Sequence, residues 1–162
     1  GGARLALHDT TPYPCGVRLH FQGSASSPRT CSINPRIPEW ADGAVRRVND
    51  KRESAPLRLG SFQTVRREWK TGDRLELELP MRLRLEALDR EHPETVALLR
   101  GPLVLFPLTS SQPRVTRSQL LAATRTGSQA WRFATEAGTV DLAPFTAIGA
   151  APYTTSLSVS GT

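Results

Sequence analysis

The sequence predicts an all-β fold: an antiparallel β-sandwich of the jelly-roll kind, with little or no helix. Thirteen Pro and twelve Gly occur among the 162 residues, and turn residues at this frequency are typical of short strands. Apolar and polar residues alternate with a period of two, most clearly over residues 74–79, RLELEL. Heptads, repeats and long amphipathic helical patterns are absent. We expect one compact unit over residues 1–162, with residues 109–118 (TSSQPRVTRS) as the best candidate for an internal seam.

Strands in the first half are predicted from alternation between turn signals. Residues 49–50, Asn-Asp, form a two-residue turn because both residue types tolerate positive φ. Residues 17–22 and 30–37 would form a hairpin, which leaves Cys15 and Cys31 too far apart for a disulfide. The predicted strands are residues 4–8, 17–22, 30–37, 44–48, 56–59, 62–69, 75–79 and 83–85.

The predicted strands of the second half are residues 96–99, 103–106, 131–134, 140–142 and 154–159. Their spacing is typical of a sandwich. Residues 120–124 fit either a helical turn capped by Ser118 or a strand, and the pattern does not separate the two.

The densest apolar stretch is residues 95–108, TVALLRGPLVLFPL. It is too short and too polar to span a bilayer. Pro102 removes a ladder donor, so we expect two buried strands with a bend between them. An arginine at this bend needs a partner, because an unpaired buried charge is costly. We therefore expect Arg100 to be a structural anchor, with a carboxylate or several backbone carbonyls around its guanidinium.

Net charge is +6 and the sequence pI is about 10.3, which makes nucleic acid a partner to consider. Nineteen of the 21 basic residues are Arg, however, and many stand beside Glu in the predicted strands. Mixed signs of this kind indicate a solvated sheet face rather than a surface that follows phosphates. We expect neither a nucleic-acid nor a membrane partner.

Sites for catalysis, metal or cofactor are not indicated by the residue pattern. His8, His20 and His92 share no ligand-type spacing, and no nucleophile elbow or phosphate-binding glycine loop is present. Glu76 and Glu78 would lie on one strand face about 7 Å apart, near the separation of an inverting glycosidase pair. A solvated strand face beside Arg74, Arg82 and Arg84 is the favoured interpretation. We expect no catalytic residue, no cofactor and no metal in this chain.

Three tryptophans, Trp40, Trp69 and Trp131, are the candidate contacts to a sugar or to an interface. The alternative for each is a place in the core or between sheets. Arg67 and Trp69 share a strand face, which predicts a cation–π contact.

Several segments, taken in order, resemble one family: the C-terminal β-sandwich region of the β-L-arabinofuranosidase-like proteins, glycoside hydrolase family 127. The segments are residues 11–14 (TPYP) with 16–17 (GV), 36–41 (RIPEWA) with 48–50 (VND), 67–73 (REWKTGD) with 79–81 (LPM), 96–104 (VALLRGPLV), 144–145 (PF) and 152–155 (PYTT). The resemblance covers most of residues 3–160.

The resemblance implies a larger parent protein. Its catalytic (α/α)6 barrel would hold a cysteine nucleophile in a zinc site and a glutamate acid/base, and none of these matches a residue here. We therefore expect a non-catalytic domain that packs against this barrel. A carbohydrate-binding module is the alternative, with carbohydrate as the partner, and a basic nucleic-acid-binding domain is the weaker one.

Overall fold

A computed structural model of the protein describes residues 4–9, 16–24 and 28–160. The chain divides into two compact units, Gly1–Arg82 and Leu83–Thr162. The boundary follows the Pro80-Met81 segment, and residues 109–118 lie inside the second unit. In the described residues, no helix has the length and apolar character needed to cross a membrane.

The described part of the first unit consists of strands and turns. Five strands form an antiparallel sheet in the order β1-β2-β9-β5-β6, and β3-β8 and β4-β7 form two-stranded pairs. The strands are β1 (Arg4–Asp9), β2 (Gly16–Ser24), β3 (Arg29–Ile33), β4 (Arg36–Ile37), β5 (Val45–Val48), β6 (Lys51–Arg52), β7 (Ser61–Phe62), β8 (Val65–Trp69) and β9 (Arg74–Pro80).

Alternation in β9 explains the core of the first unit. Leu75, Leu77 and Leu79 are buried, and the residues between them lie on the opposite face. Leu77 and Leu79 pack with Ile37 and Ala41. Leu75 packs in a second cluster with Val48, Val65 and Trp69. Burial of these nonpolar side chains on one face of the sheet stabilises the short strands.

The predicted hairpin of residues 17–22 with 30–37 is wrong. β2 pairs with β1 and β9, whereas β3 pairs with β8, so Cys31 stands opposite Arg67. Pro35 interrupts the predicted strand between β3 and β4, because proline lacks the donor that a continuous ladder needs. Cys31 is an exposed free thiol, and Cys15 lies outside the described residues.

Two further boundaries differ from the prediction. Residues 56–59 do not form a strand, and the predicted strand 62–69 is divided into β7 and β8. The division follows from pairing, since β7 pairs with β4 and β8 with β3.

In the described part of the second unit, one sheet has the order β10-β11-β12-β15-β14-β13, and β16 also pairs with β11. One short helix, α1 (Arg117–Leu121), and a 3-10 turn (Phe145–Ala147) complete it. The strands are β10 (Leu83–Ala87), β11 (Thr95–Arg100), β12 (Leu103–Pro107), β13 (Thr124–Gly127), β14 (Ala130–Thr135), β15 (Gly138–Pro144) and β16 (Leu157–Ser158).

Residues 95–108 form the two strands that the sequence predicts, β11 and β12. They pair antiparallel around Gly101, whose φ of 55° lies in the left-handed region that glycine adopts without cost. Val96, Leu98 and Leu105 belong to the core of the second unit. The prediction of an all-β fold with little helix is confirmed by both units.

Residues 120–124, which the sequence left open between helix and strand, contain both: 120–121 end the helix α1 (Arg117–Leu121), and Thr124 begins β13. The N-cap is Thr116, not Ser118. The Thr116 hydroxyl accepts a hydrogen bond from the Gln119 backbone N–H, and the Gln119 side chain accepts one from the Thr116 N–H. This reciprocal pair is a capping box, and it satisfies two N–H groups that the first turn leaves open.

Thr116→Ala is expected to lower the free energy of unfolding of the second unit by about 1 kcal/mol, because the N-cap acceptor is lost. Ser118→Ala is the comparison: the Ser118 hydroxyl lies 3.0 Å from the Thr116 hydroxyl but is exposed, so its removal is expected to change the free energy by less than about 0.5 kcal/mol. Urea unfolding followed by circular dichroism measures both. Equal losses in the two variants would contradict the assignment of Thr116 as the cap.

Candidate functional site

The face of the five-stranded sheet opposite the leucines of β9 carries the carboxylates that the sequence raised as a catalytic pair. Glu76 Oε1 lies 3.0 Å from His20 Nδ1 on β2. Glu78 Oε2 accepts a hydrogen bond of 2.9 Å from Arg47 Nη1 on β5. Each glutamate therefore has a basic side chain as its partner on a neighbouring strand. The Glu78 carboxylate is also the main reason that the pKa of Arg47 is raised above its usual value.

These partners are not the ones that sequence spacing indicates. Arg82 pairs with Asp42 at 3.0 Å, and Arg84 pairs with Glu86 within its own unit. Strand register decides the neighbours: it places His20 directly opposite Glu76, and it places Arg47 opposite Glu76 on the other side, within diagonal reach of Glu78. A retaining or inverting glycosidase needs one carboxyl group poised as an acid in an apolar setting. Acidic side chains on β9 that pair with basic side chains on β2 and β5 are instead suited to holding these strands in register.

Two of the segments that carry the family resemblance meet at one place in the first unit. The Asn49-Asp50 turn has φ values of 49° and 64°, as the sequence predicts for this turn. The Asn49 side chain donates to Asp73 Oδ1 at 2.7 Å, and its own Oδ1 accepts from the Arg74 backbone N–H at 2.8 Å. The turn between β5 and β6 is thereby fastened to the turn between β8 and β9. We call this set of contacts the turn network.

Asp73 is the centre of the turn network. Its Oδ2 accepts a hydrogen bond of 2.9 Å from the Lys70 backbone N–H and lies 3.5 Å from Arg67 Nη2. The Lys70 N–H, and after it the Asn49 amide, hold the pKa of Asp73 below its usual value. The function of this carboxylate in the fold is to close the turn.

Trp69 lies beside the turn network and is buried. Its indole N–H donates to the Cys31 carbonyl oxygen at 3.2 Å, so the ring locks β8 to β3. The predicted cation–π contact is present, with Arg67 Cζ at 5.0 Å from the centroid of the Trp69 ring.

Arg100 and Trp131 lie together in the second unit. Arg100 is 7 % exposed, and its Cζ lies 5.4 Å from the centroid of the Trp131 ring. Trp131 is 3 % exposed and belongs to the core of this unit. The Trp131 ring is therefore one of the groups that contact the Arg100 guanidinium, which makes other contacts as well. The anchoring function of Arg100 stays a prediction.

Trp40 is half-buried and packs against the Ile37 cluster. Of the three tryptophans named from the sequence, the two buried ones do not offer a ring face at the surface. The large aromatic side chains that are exposed among the described residues are Phe62, Phe145 and Tyr153. Sequence reasoning missed them as candidates, although Pro144-Phe145 and Pro152-Tyr153 stand in an uncharged segment.

Metal ligands are not assembled in the described part of the chain, where no group of three His, Cys, Asp or Glu side chains could hold an ion. The described residues therefore do not fit the zinc site that the family resemblance implies for a catalytic barrel.

Comparison with known proteins now adds to this geometry. The sequence model described as "Beta-L-arabinofuranosidase, GH127 middle domain" matches residues 1–81. No curated protein is significantly similar to the chain. The matched model is described as a middle domain, and it covers the first half of the chain.

Three similar solved structures support the fold. One, described as "Glycoside hydrolase", is 22% identical with a TM-score of 0.73, and the match covers 97% of this chain and 32% of that one. The second is Ara127N-Se, a GH127 β-L-arabinofuranosidase from Geobacillus stearothermophilus T6, with 16% identity, a TM-score of 0.71, and coverage of 98% and 32%. The third, a GH127 β-arabinofuranosidase, has 15% identity, a TM-score of 0.71, and the same coverage.

The chain spans about a third of the length of these solved chains. At such identities the structures establish the fold, and the matched family model establishes the family. The chain belongs to the GH127 β-L-arabinofuranosidase family, with residues 1–81 as its middle domain.

Proposed function

We propose that this chain is a non-catalytic β-sandwich module of a GH127-type protein, with a structural function: to pack against and support a catalytic (α/α)6 barrel. The observation that carries the proposal is the turn network. Asn49 and Asp73 belong to segments that resemble the family, and their side chains are used in contacts that close turns.

The charged groups support the same proposal. The two candidate carboxylates of β9 are held by His20 and Arg47, and a reacting group must instead be available to a substrate. Substrate chemistry on a β-L-arabinofuranoside then belongs to the barrel.

Charge is distributed unevenly between the units. Residues 1–82 contain fourteen basic and nine acidic side chains, whereas residues 83–162 contain seven and six. We propose that the basic surplus of the first unit favours docking on an acidic surface of the barrel, because complementary potentials steer and orient association.

A carbohydrate-binding module is the second candidate. Sugar platforms use exposed aromatic rings, and Trp69 and Trp131 are buried. Their burial favours the structural function over this alternative.

Purified residues 1–162 are expected not to hydrolyse 4-nitrophenyl β-L-arabinofuranoside under conditions in which the Geobacillus stearothermophilus GH127 enzyme does. Affinity electrophoresis in arabinan is expected to show no retardation. Turnover by this chain that Glu76→Gln or Glu78→Gln abolishes would overturn the non-catalytic assignment. Retardation that Trp40→Ala abolishes would favour the carbohydrate-binding candidate.

The supporting function has its own test in the full-length protein that carries this chain. Asn49→Ala is expected to lower the temperature of thermal inactivation and to leave kcat/KM at 25 °C unchanged, because the network acts on stability. A reduced kcat/KM with unchanged thermal inactivation would contradict the proposal.

A further inference from the structure

The strands β3, β4, β7 and β8 form one continuous two-stranded ribbon in the first unit. The β3–β8 and β4–β7 pairs share one register, because three residues separate Ile33 from Arg36 and three separate Phe62 from Val65. Across the gap between the pairs, the Pro35 carbonyl oxygen accepts a backbone hydrogen bond of 2.9 Å from the residue opposite it. Residues 29–37 therefore run antiparallel to residues 61–69 without a slip.

One face of this ribbon is exposed along its whole length. Side chains alternate between the two faces of a strand, and every even-numbered residue from 30 to 36 and from 62 to 68 is exposed. We call these even-numbered residues the ribbon face. The opposite face contributes Ile37, Val65 and Trp69 to the core clusters of the first unit, so the ribbon face lies on a packed support.

The ribbon face combines groups that bind hydroxyl and carboxylate groups of a ligand. Arg36 and Arg66 supply guanidinium groups, Asn34 supplies an amide and Glu68 a carboxylate, and the other polar members are Ser and Thr hydroxyl groups. Phe62 is 67 % exposed and adds an aromatic ring directly opposite Arg36. An apolar surface beside a few polar groups is typical of a ligand site.

The polar side chains of the ribbon face are not used inside the fold. Among the described residues, none of these side chains forms a hydrogen bond or an ion pair with another residue. The five-stranded sheet differs, because its exposed face pairs the glutamates of β9 with His20 and Arg47. Arg36 and Arg66 can therefore donate to a ligand without breaking an existing contact.

We propose that the ribbon face binds an acidic polysaccharide, a linear chain of sugars that carry carboxylate groups. A guanidinium group binds a carboxylate through two parallel hydrogen bonds. Arg66 stands opposite Ser32, which is four residues before Arg36, so the two arginines lie roughly 13 Å apart along the ribbon. An extended chain of several uronate units spans this distance, and a single unit does not.

Two other classes of polymer fit the ribbon face less well. A nucleic acid is held by many phosphate contacts, whereas this face offers two arginines, and the Glu68 carboxylate repels phosphate. A protein interface needs an apolar centre, and Phe62 is the only apolar residue of the face. Sugar hydroxyl groups, in contrast, can donate to Glu68 and accept from the Asn34 amide.

This inference goes beyond the proposed function and does not rest on it. The turn network and the ribbon face share no residue, so supporting a barrel and binding a glycan use different side chains. Arabinan carries no carboxylate groups. The absence of retardation that we expect in arabinan is therefore also what the ribbon face predicts.

Isothermal titration calorimetry of the 162-residue chain with hexagalacturonate, at physiological ionic strength, tests the proposal. The expected Kd is roughly 0.1–1 mM. The methyl ester of hexagalacturonate keeps the sugars and removes their charges, and it is expected to bind about tenfold more weakly or worse. Monomeric galacturonate is expected to lose at least about tenfold as well, because it reaches one arginine at a time.

Variants locate the binding. Arg36→Gln/Arg66→Gln is expected to raise the Kd for hexagalacturonate about tenfold or more, because charge-assisted hydrogen bonds are lost. Phe62→Ser is expected to raise it about threefold to tenfold through loss of the ring. The matched control, Arg52→Gln/Arg90→Gln, removes the same charge from two exposed arginines outside the ribbon and is expected to change the Kd by less than about twofold. Circular dichroism melting curves check that each variant is folded.

No binding of hexagalacturonate to the parent chain would overturn the proposal. Equal losses in the two double-arginine variants would also overturn it, since binding would then reflect net charge alone. So would equal binding of the methyl ester or of the monomer. Tighter binding of oligothymidylate that Arg36→Gln/Arg66→Gln abolishes would overturn it in favour of nucleic acid. None of these results depends on turnover or on arabinan, so the proposed function is tested separately.

Discussion

Replacing Trp131 with alanine is expected to lower the free energy of unfolding of the second unit by about 3–5 kcal/mol, the usual cost of truncating a buried tryptophan. Trp131 lies on β14, is almost fully buried, and packs with Phe133 and Leu142 in the core. The surrounding side chains come from several strands, so they cannot all move into the cavity. Urea unfolding followed by far-UV circular dichroism measures the loss.

Part of the stability that Trp131 contributes is expected to come from its contact with Arg100. Arg100→Met retains the volume of the side chain and removes the charge that lies over the ring. A desolvated cation–π contact contributes up to about 2 kcal/mol. A double-mutant cycle of Arg100→Met with Trp131→Ala is therefore expected to show a coupling of about 1–2 kcal/mol.

Arg125 provides the control for this cycle. It stands opposite Trp131 in the register of β13 and β14, but it is exposed. Its coupling to Trp131 is expected to stay below about 0.5 kcal/mol. Additive effects of the Arg100 and Trp131 substitutions would show that the ring does not contribute to holding the arginine.

The strands around Arg100 could be predicted from sequence because their signals are local. An apolar run interrupted by Gly-Pro leaves few solutions: two strands and a bend, with Gly101 at the positive φ. The Asn49-Asp50 turn is predictable for the same reason, since the conformation is a property of the two residues themselves.

Strand pairing could not be predicted in the same way. β3 pairs with β8 across 36 positions of sequence, from Cys31 to Arg67, and no local pattern records this choice. The partners of Glu76 and Glu78 follow from the same register, which explains why neighbouring arginines in the sequence were the wrong ones to consider. The short strands β4 and β7 exist only because they pair with each other.

Surface exposure is also poorly encoded in residue type. Tryptophan was a reasonable candidate for a sugar contact, yet Trp69 is buried by its hydrogen bond to Cys31 and its packing on Leu75. Phe145 is exposed because the chain leaves β15 and turns at that residue. The signal that could have identified it was the uncharged segment that contains it.

Asp73→Asn is expected to lower the free energy of unfolding of the first unit by about 2 kcal/mol at pH 7. The carboxylate accepts hydrogen bonds from the Lys70 backbone N–H and the Asn49 amide, and bonds to a charged acceptor contribute about 1.5–3 kcal/mol. Asparagine retains the shape of the side chain but presents an N–H₂ group where one of these donors points. Urea unfolding between pH 3 and pH 8 measures the difference.

The dependence on pH follows from the lowered pKa of Asp73. A group whose pKa is lower in the folded state stabilises the fold fully above its unfolded pKa, near 3.9, and loses this contribution as pH falls through the folded value. The difference in stability between the parent chain and Asp73→Asn is therefore expected to be constant from pH 6 to pH 8. It is expected to shrink below about pH 4, as the parent carboxylate becomes protonated in both states.

Asp42→Asn is the matched control in the same unit. Asp42 is 72 % exposed in its side chain and pairs only with the equally exposed Arg82 among the contacts shown for it. Such surface pairs contribute less than about 1 kcal/mol, so this variant is expected to follow the parent closely at every pH. If Asp73→Asn kept its full deficit at pH 3, the loss would come from the shape of the turn and not from the charge of the carboxylate. A deficit that closes on acidification identifies the ionised Asp73 as the group that fastens the two turns.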